Sequence, residues 1–213
     1  MLKNLICKEL RLTVHPTMWL FPLLTAMLLI PAYPYYVAFF YMCLAAYFTF
    51  LSAREERDVY FTAMLPVTKG DMVKARVLVL CLFEGLALLV SLPFAFLSLR
   101  INSGNAAGID INFAFYGLVF LMFGGFHLCF LPCYYKTGHK LGKPLFFGAT
   151  FIFGYIFVAE AMAEYIPSPL AAWLDAPANP SQLPLLFGGL GLYALLTWLA
   201  CRVSIKRFER VDL

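Results

Sequence analysis

The sequence predicts an all-α fold, that of a polytopic integral membrane protein with six transmembrane helices. The chain of 213 residues is 62% hydrophobic, with a mean hydropathy of +0.81, which is too apolar for a soluble domain. Its apolar stretches reach the roughly 17 to 25 residues that a helix needs to cross hydrocarbon about 30 Å thick. Backbone groups in lipid must be satisfied internally, and the short alternating segments of a β-barrel are missing, so these stretches are expected to be helices.

The positive charges predict the topology. Fifteen of the sixteen Lys and Arg residues fall into four clusters, and only Arg100 stands apart. Basic residues near span ends collect on the cytoplasmic side, so the chain must cross an even number of times between clusters. Each of the three apolar regions between neighbouring clusters therefore leaves the cytoplasmic side and returns to it, which we call an excursion. Three excursions of two crossings each give six spans, with both termini in the cytoplasm. The clusters are Lys3, Lys8 and Arg11; Arg54, Arg57, Lys69, Lys74 and Arg76; Lys136, Lys140 and Lys143; and Arg202, Lys206, Arg207 and Arg210.

We expect residues 1–213 to form a single transmembrane domain. Pro31 and Pro34 disfavour one continuous helix through the first excursion, so it is divided into two short spans. The segment before the last span holds five prolines, which exclude a long helix, although residues 168–175 have room for a short one at the outer face. The expected spans are about 17–33, 34–53, 77–99, 112–135, 144–166 and 183–202.

Residues 1–14 have the pattern of a short interfacial helix. Its apolar side chains gather on one side, whereas Lys8 and Arg11 lie opposite. Such a helix is expected to lie flat on the inner leaflet, where the cations bind anionic headgroups and the apolar face meets acyl chains. The apolar set is Leu2, Leu5, Ile6 and Leu10.

The longest predicted cytoplasmic loop, residues 54–76, is unlike an ordinary connector. It opens with five consecutive charges, and a helix from about Asp58 to Leu65 would then place Phe61, Met64 and Leu65 on one side. Thr68 is placed to cap a following helix that begins near Lys69 and enters the third span. A bulky apolar surface between charged flanks suits a groove on a soluble partner. The alternative is that its aromatic side chains enter the lipid interface.

One stretch in this loop carries a family resemblance. An acidic run after the second span is followed by Leu65-Pro66-Val67-Thr68-Lys69, then Asp71, and then Lys74-Ala75-Arg76 at the start of the third span. This pattern resembles the ABC-2 type permeases, the membrane subunits of ATP-binding-cassette exporters. The six-span arrangement and the amino-terminal amphipathic helix are also similar, so the resemblance covers nearly the whole chain.

The resemblance implies that this loop contains a coupling helix, which packs into a cleft of a separate ATPase subunit. Phe61, Met64 and Leu65 are the expected buried contacts, and the loop from Tyr135 to Lys143 would add a smaller one. The expected ATPase-docking residues are Glu55, Glu56, Asp58, Tyr60, Phe61, Met64, Leu65, Pro66 and Lys69.

The chain has no Gly-x-x-x-x-Gly-Lys-Ser/Thr stretch. We therefore expect no cofactor in this chain and no enzymatic activity, with ATP and Mg bound by the partner ATPase. Gly188-Gly189-Leu190-Gly191 lies inside an apolar span and is interpreted as a helix-packing surface. Because six spans enclose too little for a full pathway, a second permease subunit is expected, in a homodimer or a heterodimer.

Three carboxylates fall within the predicted spans, and ionised groups are costly there. Glu84 lies about two turns into the third span, and Glu160 and Glu164 share a face near the outer end of the fifth. A structural role facing the bundle is the simpler interpretation. The alternative is a proton or cation relay, or an acidic wall for a cationic substrate. That alternative keeps open an ion-coupled secondary carrier or an accessory membrane protein that needs no ATPase.

Other chemistries find little support in the sequence. Cys129 and Cys133 are one turn apart, but His127 points elsewhere and His139 follows the span, so no metal site is expected. No hydrolase constellation is evident. The basic clusters serve topology and lipid contact, so no nucleic-acid binding is expected either.

The resemblance to ABC-2 type permeases therefore implies an exporter permease in the bacterial cytoplasmic membrane. Its substrate would be an amphipathic peptide, a drug-like molecule or a lipid. The aromatic residues around the first hairpin have the character of an amphipathic pathway, although aromatic side chains also fill apolar bundles; they are Tyr33, Tyr35, Tyr36, Phe39, Phe40 and Tyr41.

Overall fold

The computed structural model describes residues 2–102, 105, 108–164, 173–174, 176 and 179–211; side chains 162–164 and most of the predicted outer helix over 168–175 lie outside this description. The described residues form helices and connecting turns, with no β-strand among them. The helices are α1 (Leu2–Lys8), α2 (Thr17–Leu20), α3 (Tyr35–Glu55), α4 (Asp58–Ala63), α5 (Lys69–Ile101), α6 (Phe113–Tyr134), α7 (Gly142–Glu164) and α8 (Leu183–Phe208). A π-helical segment, Glu9–Thr13, extends α1, and 3-10 segments are Phe21–Leu29 and Pro180–Gln182.

Five of these helices are long and apolar enough to cross a membrane, and a bent helix pair at the amino terminus brings the number to as many as six. The five are α3, α5, α6, α7 and α8. The all-α, polytopic membrane architecture predicted from composition is thereby confirmed. Helix α5 is the longest at 33 residues, or about 50 Å at 1.5 Å per residue, so it extends well beyond a hydrocarbon core about 30 Å thick.

The amino-terminal candidate span has an unusual shape. Residues 2–13 and 17–29 are bent by 97° relative to one another, and most of the second part is a 3-10 helix. The 3-10 helix rises about 2.0 Å per residue, so Thr17–Leu29 spans roughly 24 Å with only 13 residues. At its start, the His15 amide donates to Thr49 on α3, and at its end the Leu29 carbonyl accepts from Asn102 after α5. The helical part ends at Leu29 rather than at the expected Tyr33 because Ile30 is extended.

The two ends of the bundle differ in charge. At one end, which we call the basic end, Lys69 Nζ donates to the Val211 carbonyl at 2.6 Å and Arg207 donates to the Pro132 carbonyl at 2.7 Å. Lys8 and Asp58 also meet there. The four basic clusters lie at helix ends on this side, whereas Arg100 lies near the opposite end. The structure therefore has the charge asymmetry on which the topology prediction depends; that this end is cytoplasmic stays a prediction.

Helices α6 and α8 approach each other through small residues. A Cβ atom on Gly189 would lie 2.2 Å from the Gly117 carbonyl oxygen, and one on Gly117 would lie 2.6 Å from the Leu185 carbonyl oxygen. Only glycine permits this approach, as is common between helices in lipid. Gly188 and Gly191 have open space instead. The packing role expected of the glycine-rich run therefore falls on Gly189.

The aromatic residues of the first hairpin are divided between core and surface. Tyr35, Tyr36 and Phe39 are buried and pack against Phe115 of α6, with ring centroids 4.9 to 6.3 Å apart. Offset and edge-on ring contacts at such distances are typical of a packed core. These three side chains therefore fill the bundle and do not line an open pathway within this chain.

Candidate functional site

Helix α4 lies at the basic end between α3 and α5. Arg57 turns the chain by adopting the left-handed conformation, with φ of 55°, which is uncommon for a residue other than glycine. Asp58 then begins α4, which ends at Ala63 with Met64 as its C-cap. The helix is shorter than the predicted Asp58–Leu65, because Pro66 has no amide hydrogen with which to continue it.

The two faces of α4 have opposite character. Asp58, Val59 and Thr62 are buried against the rest of the protein, with exposed fractions of 7%, 6% and 1%. The opposite face, which we call the α4 surface, exposes Tyr60 by 44%, Phe61 by 53%, Met64 by 78% and Leu65 by 39%. A cluster of exposed large apolar side chains in a segment outside the candidate spans is a candidate interaction site.

Four charged side chains hold the buried face of α4 in place. We call Lys8, Glu9, Asp58 and Arg76 the ion cluster. Arg76 of α5 donates to both carboxylate oxygens of Glu9, at 2.9 and 3.0 Å, and to Asp58 Oδ2 at 2.5 Å. Lys8 Nζ donates to Glu9 at 3.1 Å, to Asp58 Oδ1, and to the Thr62 hydroxyl at 2.9 Å.

The ion cluster is buried and electrically balanced. Glu9 and Arg76 are each 4% exposed, and two cations face two carboxylates. Buried ions remain charged only when they are paired and hydrogen-bonded, as these are. Burial alone would raise the pKa of Asp58, but the charge of Arg76, together with the hydrogen bond and charge of Lys8, lowers that pKa below its ordinary value. Asp58 is therefore ionised at neutral pH.

The ion cluster corrects the prediction for Lys8 and adds a residue, Glu9, that the sequence did not indicate. Lys8 was expected to face lipid headgroups, but its ammonium group points into the protein, because the buried carboxylates of Glu9 and Asp58 require a cation. Lys3 and Arg11 are exposed, as the interfacial helix requires. Glu9 was not recognised as a candidate residue, because its partner Arg76 is 67 residues away in the sequence.

The remaining expected docking residues differ in their surroundings. Glu55, Glu56 and Pro66 are exposed beside the α4 surface. Lys69 is only partly exposed, because its ammonium group binds the Val211 carbonyl and lies over the Phe208 ring. Asp58 and Lys69 are therefore bound within the protein. The Thr68 hydroxyl accepts from the Asp71 amide at 3.1 Å and caps α5, as predicted.

Glu84 lies in a polar cluster between three helices. Its carboxylate accepts a hydrogen bond from Tyr193 of α8 at 2.6 Å and lies 3.0 Å from His127 Nε2 of α6. His127 Nδ1 lies 3.0 Å from the hydroxyl of Thr197, also on α8. The structure thus supplies Glu84 with partners, and neither His127 nor Tyr193 was predicted to provide them.

Glu160 lies at the end of the bundle opposite the basic end. Its carboxylate accepts from the Ile109 amide at 3.3 Å, while its other oxygen, Oε1, is buried without a hydrogen-bond partner among the described residues. The side chain of Glu164 lies outside the described residues, so the expected Glu160–Glu164 pair is not assessed.

Comparison with known proteins identifies the family. No curated protein and no solved structure matches the chain. The family described as ABC-2 family transporter protein matches residues 4–209, nearly the whole chain. Its members are membrane permeases of ATP-binding-cassette transporters, which work with a separate ATPase subunit. The resemblance noted around Pro66 and the helical architecture agree with this match, and the chain belongs to the ABC-2 family of transporter proteins.

Proposed function

We propose that this permease subunit belongs to an exporter in which the α4 surface docks into a cleft of the ATPase subunit. The observation that carries the proposal is the placement of four exposed apolar side chains on and directly after helix α4, at the basic end. By the positive-inside rule this end faces the cytoplasm, where the ATPase is found. Aromatic and large apolar side chains at the centre of a contact supply most of the binding free energy.

The ion cluster supports the coupling role of α4. Asp58 connects α4 to Arg76, which lies two turns into α5, and Glu9 connects the same guanidinium to the amino-terminal segment. Closure of two ATPase subunits on ATP and Mg would displace both docked helices. The displacement would pass to α5, a single helix that continues to the opposite end of the bundle.

A second permease subunit completes the transporter in this proposal. Six spans would enclose too little space for a full pathway, and among the described residues buried aromatic side chains around Phe115 fill the space between α3 and α6. Rocking of two subunits, in a homodimer or a heterodimer, would alternate access from the two sides. Large apolar side chains on α7, such as Phe153 and Phe157, are exposed to lipid or to that second subunit.

The proposed cargo is an amphipathic peptide, drug-like molecule or lipid that moves outward across the bacterial cytoplasmic membrane. An apolar bundle provides few hydrogen-bond partners, so a strongly hydrated solute would lose its water without compensation on entering it. An ion-coupled carrier that uses Glu84, Glu160 and Glu164 has less support. The family works with an ATPase, and the Glu84 carboxylate is bound by Tyr193.

The docking proposal is tested by the variants Phe61→Glu and Leu65→Glu. Each places a charge in the expected apolar contact without touching the ion cluster. We expect a loss of at least about 2 kcal/mol of association free energy, roughly thirtyfold in affinity. Co-purification with the ATPase and stimulation of ATP hydrolysis should both fall.

The matched control is Arg210→Glu, which introduces the same side chain at another exposed position of the basic end, outside the expected docking residues. This variant should retain both properties. Wild-type co-purification by both Phe61→Glu and Leu65→Glu would refute docking through α4. The permease assignment would remain, because it depends on the family match.

A further inference from the structure

We infer that Cys81, Glu84 and His127 form a binding site for a divalent transition-metal ion, with Zn²⁺ the best chemical fit. The site lies between α5 and α6, within the predicted spans. It is independent of the proposed ATPase docking, and its test needs neither the ATPase nor transport.

The positions of the three side chains suit a common ion. The Cys81 thiol, a Glu84 carboxylate oxygen and a His127 ring nitrogen all lie within 4.8 Å of one another. Cys81 and Glu84 are three residues apart, so they share one face of α5. Zinc bonds of about 2.0 to 2.3 Å in a tetrahedral arrangement separate neighbouring ligand atoms by about 3.3 to 3.6 Å. A small adjustment of the side chains around an ion would give such distances: the His127 nitrogen and the Glu84 oxygen, now 3.0 Å apart, would separate slightly, and the Cys81 sulfur would move closer.

The His127 ring supplies a second, independent observation. The residue is 0% exposed, and its Nε2 has no hydrogen-bond partner among the described residues, although it lies 3.0 Å from Glu84 Oε1. Its Nδ1 is 3.0 Å from the Thr197 hydroxyl. When Nδ1 carries the proton and donates it to Thr197, Nε2 presents a lone pair to a carboxylate oxygen. Two acceptors that face each other require a cation between them, and the nearby thiol of Cys81 favours a metal ion over a proton.

The charges of the three side chains and the hydrogen bonds around them also suit a divalent metal ion. A thiolate and a carboxylate neutralise a divalent ion, so the loaded site would add no net charge to the membrane interior. Tyr193 donates to Glu84 Oε2 at 2.6 Å, which leaves Oε1 free to bind the ion. Thr197 orients the His127 ring in the way that outer hydrogen bonds orient metal-bound histidines.

The donor set selects the class of metal. Sulfur, nitrogen and oxygen ligands together suit zinc and similar borderline-soft ions, whereas Mg²⁺ and Ca²⁺ require oxygen ligands. Three protein ligands leave one coordination position for a water molecule or a fourth group. A bound ion would join α5 to α6 at a point two turns from Arg76 of the ion cluster.

The test uses the full-length chain, purified in detergent and stripped of metal, and Co²⁺ as a spectroscopic probe for Zn²⁺. We expect one Co²⁺ per chain, with a thiolate-to-cobalt charge-transfer absorption band that added Zn²⁺ removes. Cys81→Ser should abolish the band and weaken binding at least about tenfold. Cys129→Ser is the matched control, because Cys129 lies on α6 outside the ligand group, and it should keep both.

A second readout covers the case in which the variants fold poorly. In the wild-type chain, Zn²⁺ should slow alkylation of Cys81 by a small thiol reagent, with the other cysteines as internal references. Absence of stoichiometric Co²⁺ uptake by the wild-type chain would overturn the proposal and leave a shared proton between Glu84 and His127. An unchanged band in Cys81→Ser would overturn it as well.

Discussion

Arg76 of α5 donates a hydrogen bond of 2.5 Å to Asp58, the first residue of α4, and both side chains are buried. A short surface helix is thereby attached by a charged contact to the longest helix of the bundle. The same guanidinium binds Glu9, so three segments that are distant in the sequence meet at one cation. Arg76 therefore fixes α4 relative to both α5 and the amino-terminal segment.

Replacement of Arg76 by Met is expected to destabilise the protein by about 3 to 5 kcal/mol, because it leaves two buried carboxylates without a guanidinium. Thermal unfolding in detergent measures the loss. Arg76→Met combined with Asp58→Asn should lose less than the sum of the two single variants, since both remove the same ion pair. Strict additivity of the two changes would show that the Arg76–Asp58 contact contributes nothing to stability.

Acid is expected to loosen α4. The folded-state pKa of Asp58 is lowered, so its stabilising contribution is complete above its unfolded pKa of about 3.9 and is lost as pH falls through the lower folded value. Hydrogen exchange of the α4 amides, corrected for the intrinsic effect of pH, should therefore accelerate below about pH 4.

The control for this pH effect is Asp58→Asn, which removes the titrating group. In that variant α4 should exchange faster already at pH 6, with a smaller further change on acidification. If acid accelerates hydrogen exchange of the α4 amides by the same factor in wild type and in Asp58→Asn, then protonation of Asp58 is not the cause of the acceleration.

The contact between α6 and α8 yields a paired prediction. Gly189→Leu must force the two helices apart, because even a Cβ atom there would lie 2.2 Å from a carbonyl oxygen of Gly117. We expect a loss of about 2 kcal/mol or more, measured as a lower midpoint of thermal unfolding. Gly188→Leu makes the same chemical change in open space and should leave the midpoint nearly unchanged. Equal effects of the two substitutions would contradict the assigned packing face.

Local patterns in the sequence account for much of the structure. The charged run before α4, the break at Pro66 and the cap at Thr68 are short-range signals, because each acts within a few residues. The apolar stretches likewise predict α3, α5 and α6, since crossing hydrocarbon imposes a minimum length. No local sequence pattern predicts the 3-10 helix Phe21–Leu29. Its conformation depends on how this segment packs against α3 and α5.

These local patterns did not predict contacts between segments that are distant in the sequence. Lys8 has the position of a lipid-facing cation in an isolated amphipathic helix, and only the folded chain brings it to Asp58. Glu84 was recognisable as a costly intramembrane charge. Its partners His127 and Tyr193 were not recognisable, because they lie on two other helices and their meeting depends on how the bundle is packed.

Site-specific photo-crosslinking from position 64 tests the docking of α4 most directly. Met64 is 78% exposed and lies outside the ion cluster, so a photoreactive residue there should not disturb folding. The matched control is position 157 on α7, where Phe157 is 74% exposed in a predicted span. In membranes that contain the ATPase, we expect a crosslink to the ATPase from position 64 and none from position 157. Crosslinks from position 64 to lipid alone, or labelling of position 64 by a reagent confined to the outer side of the membrane, would contradict docking through α4.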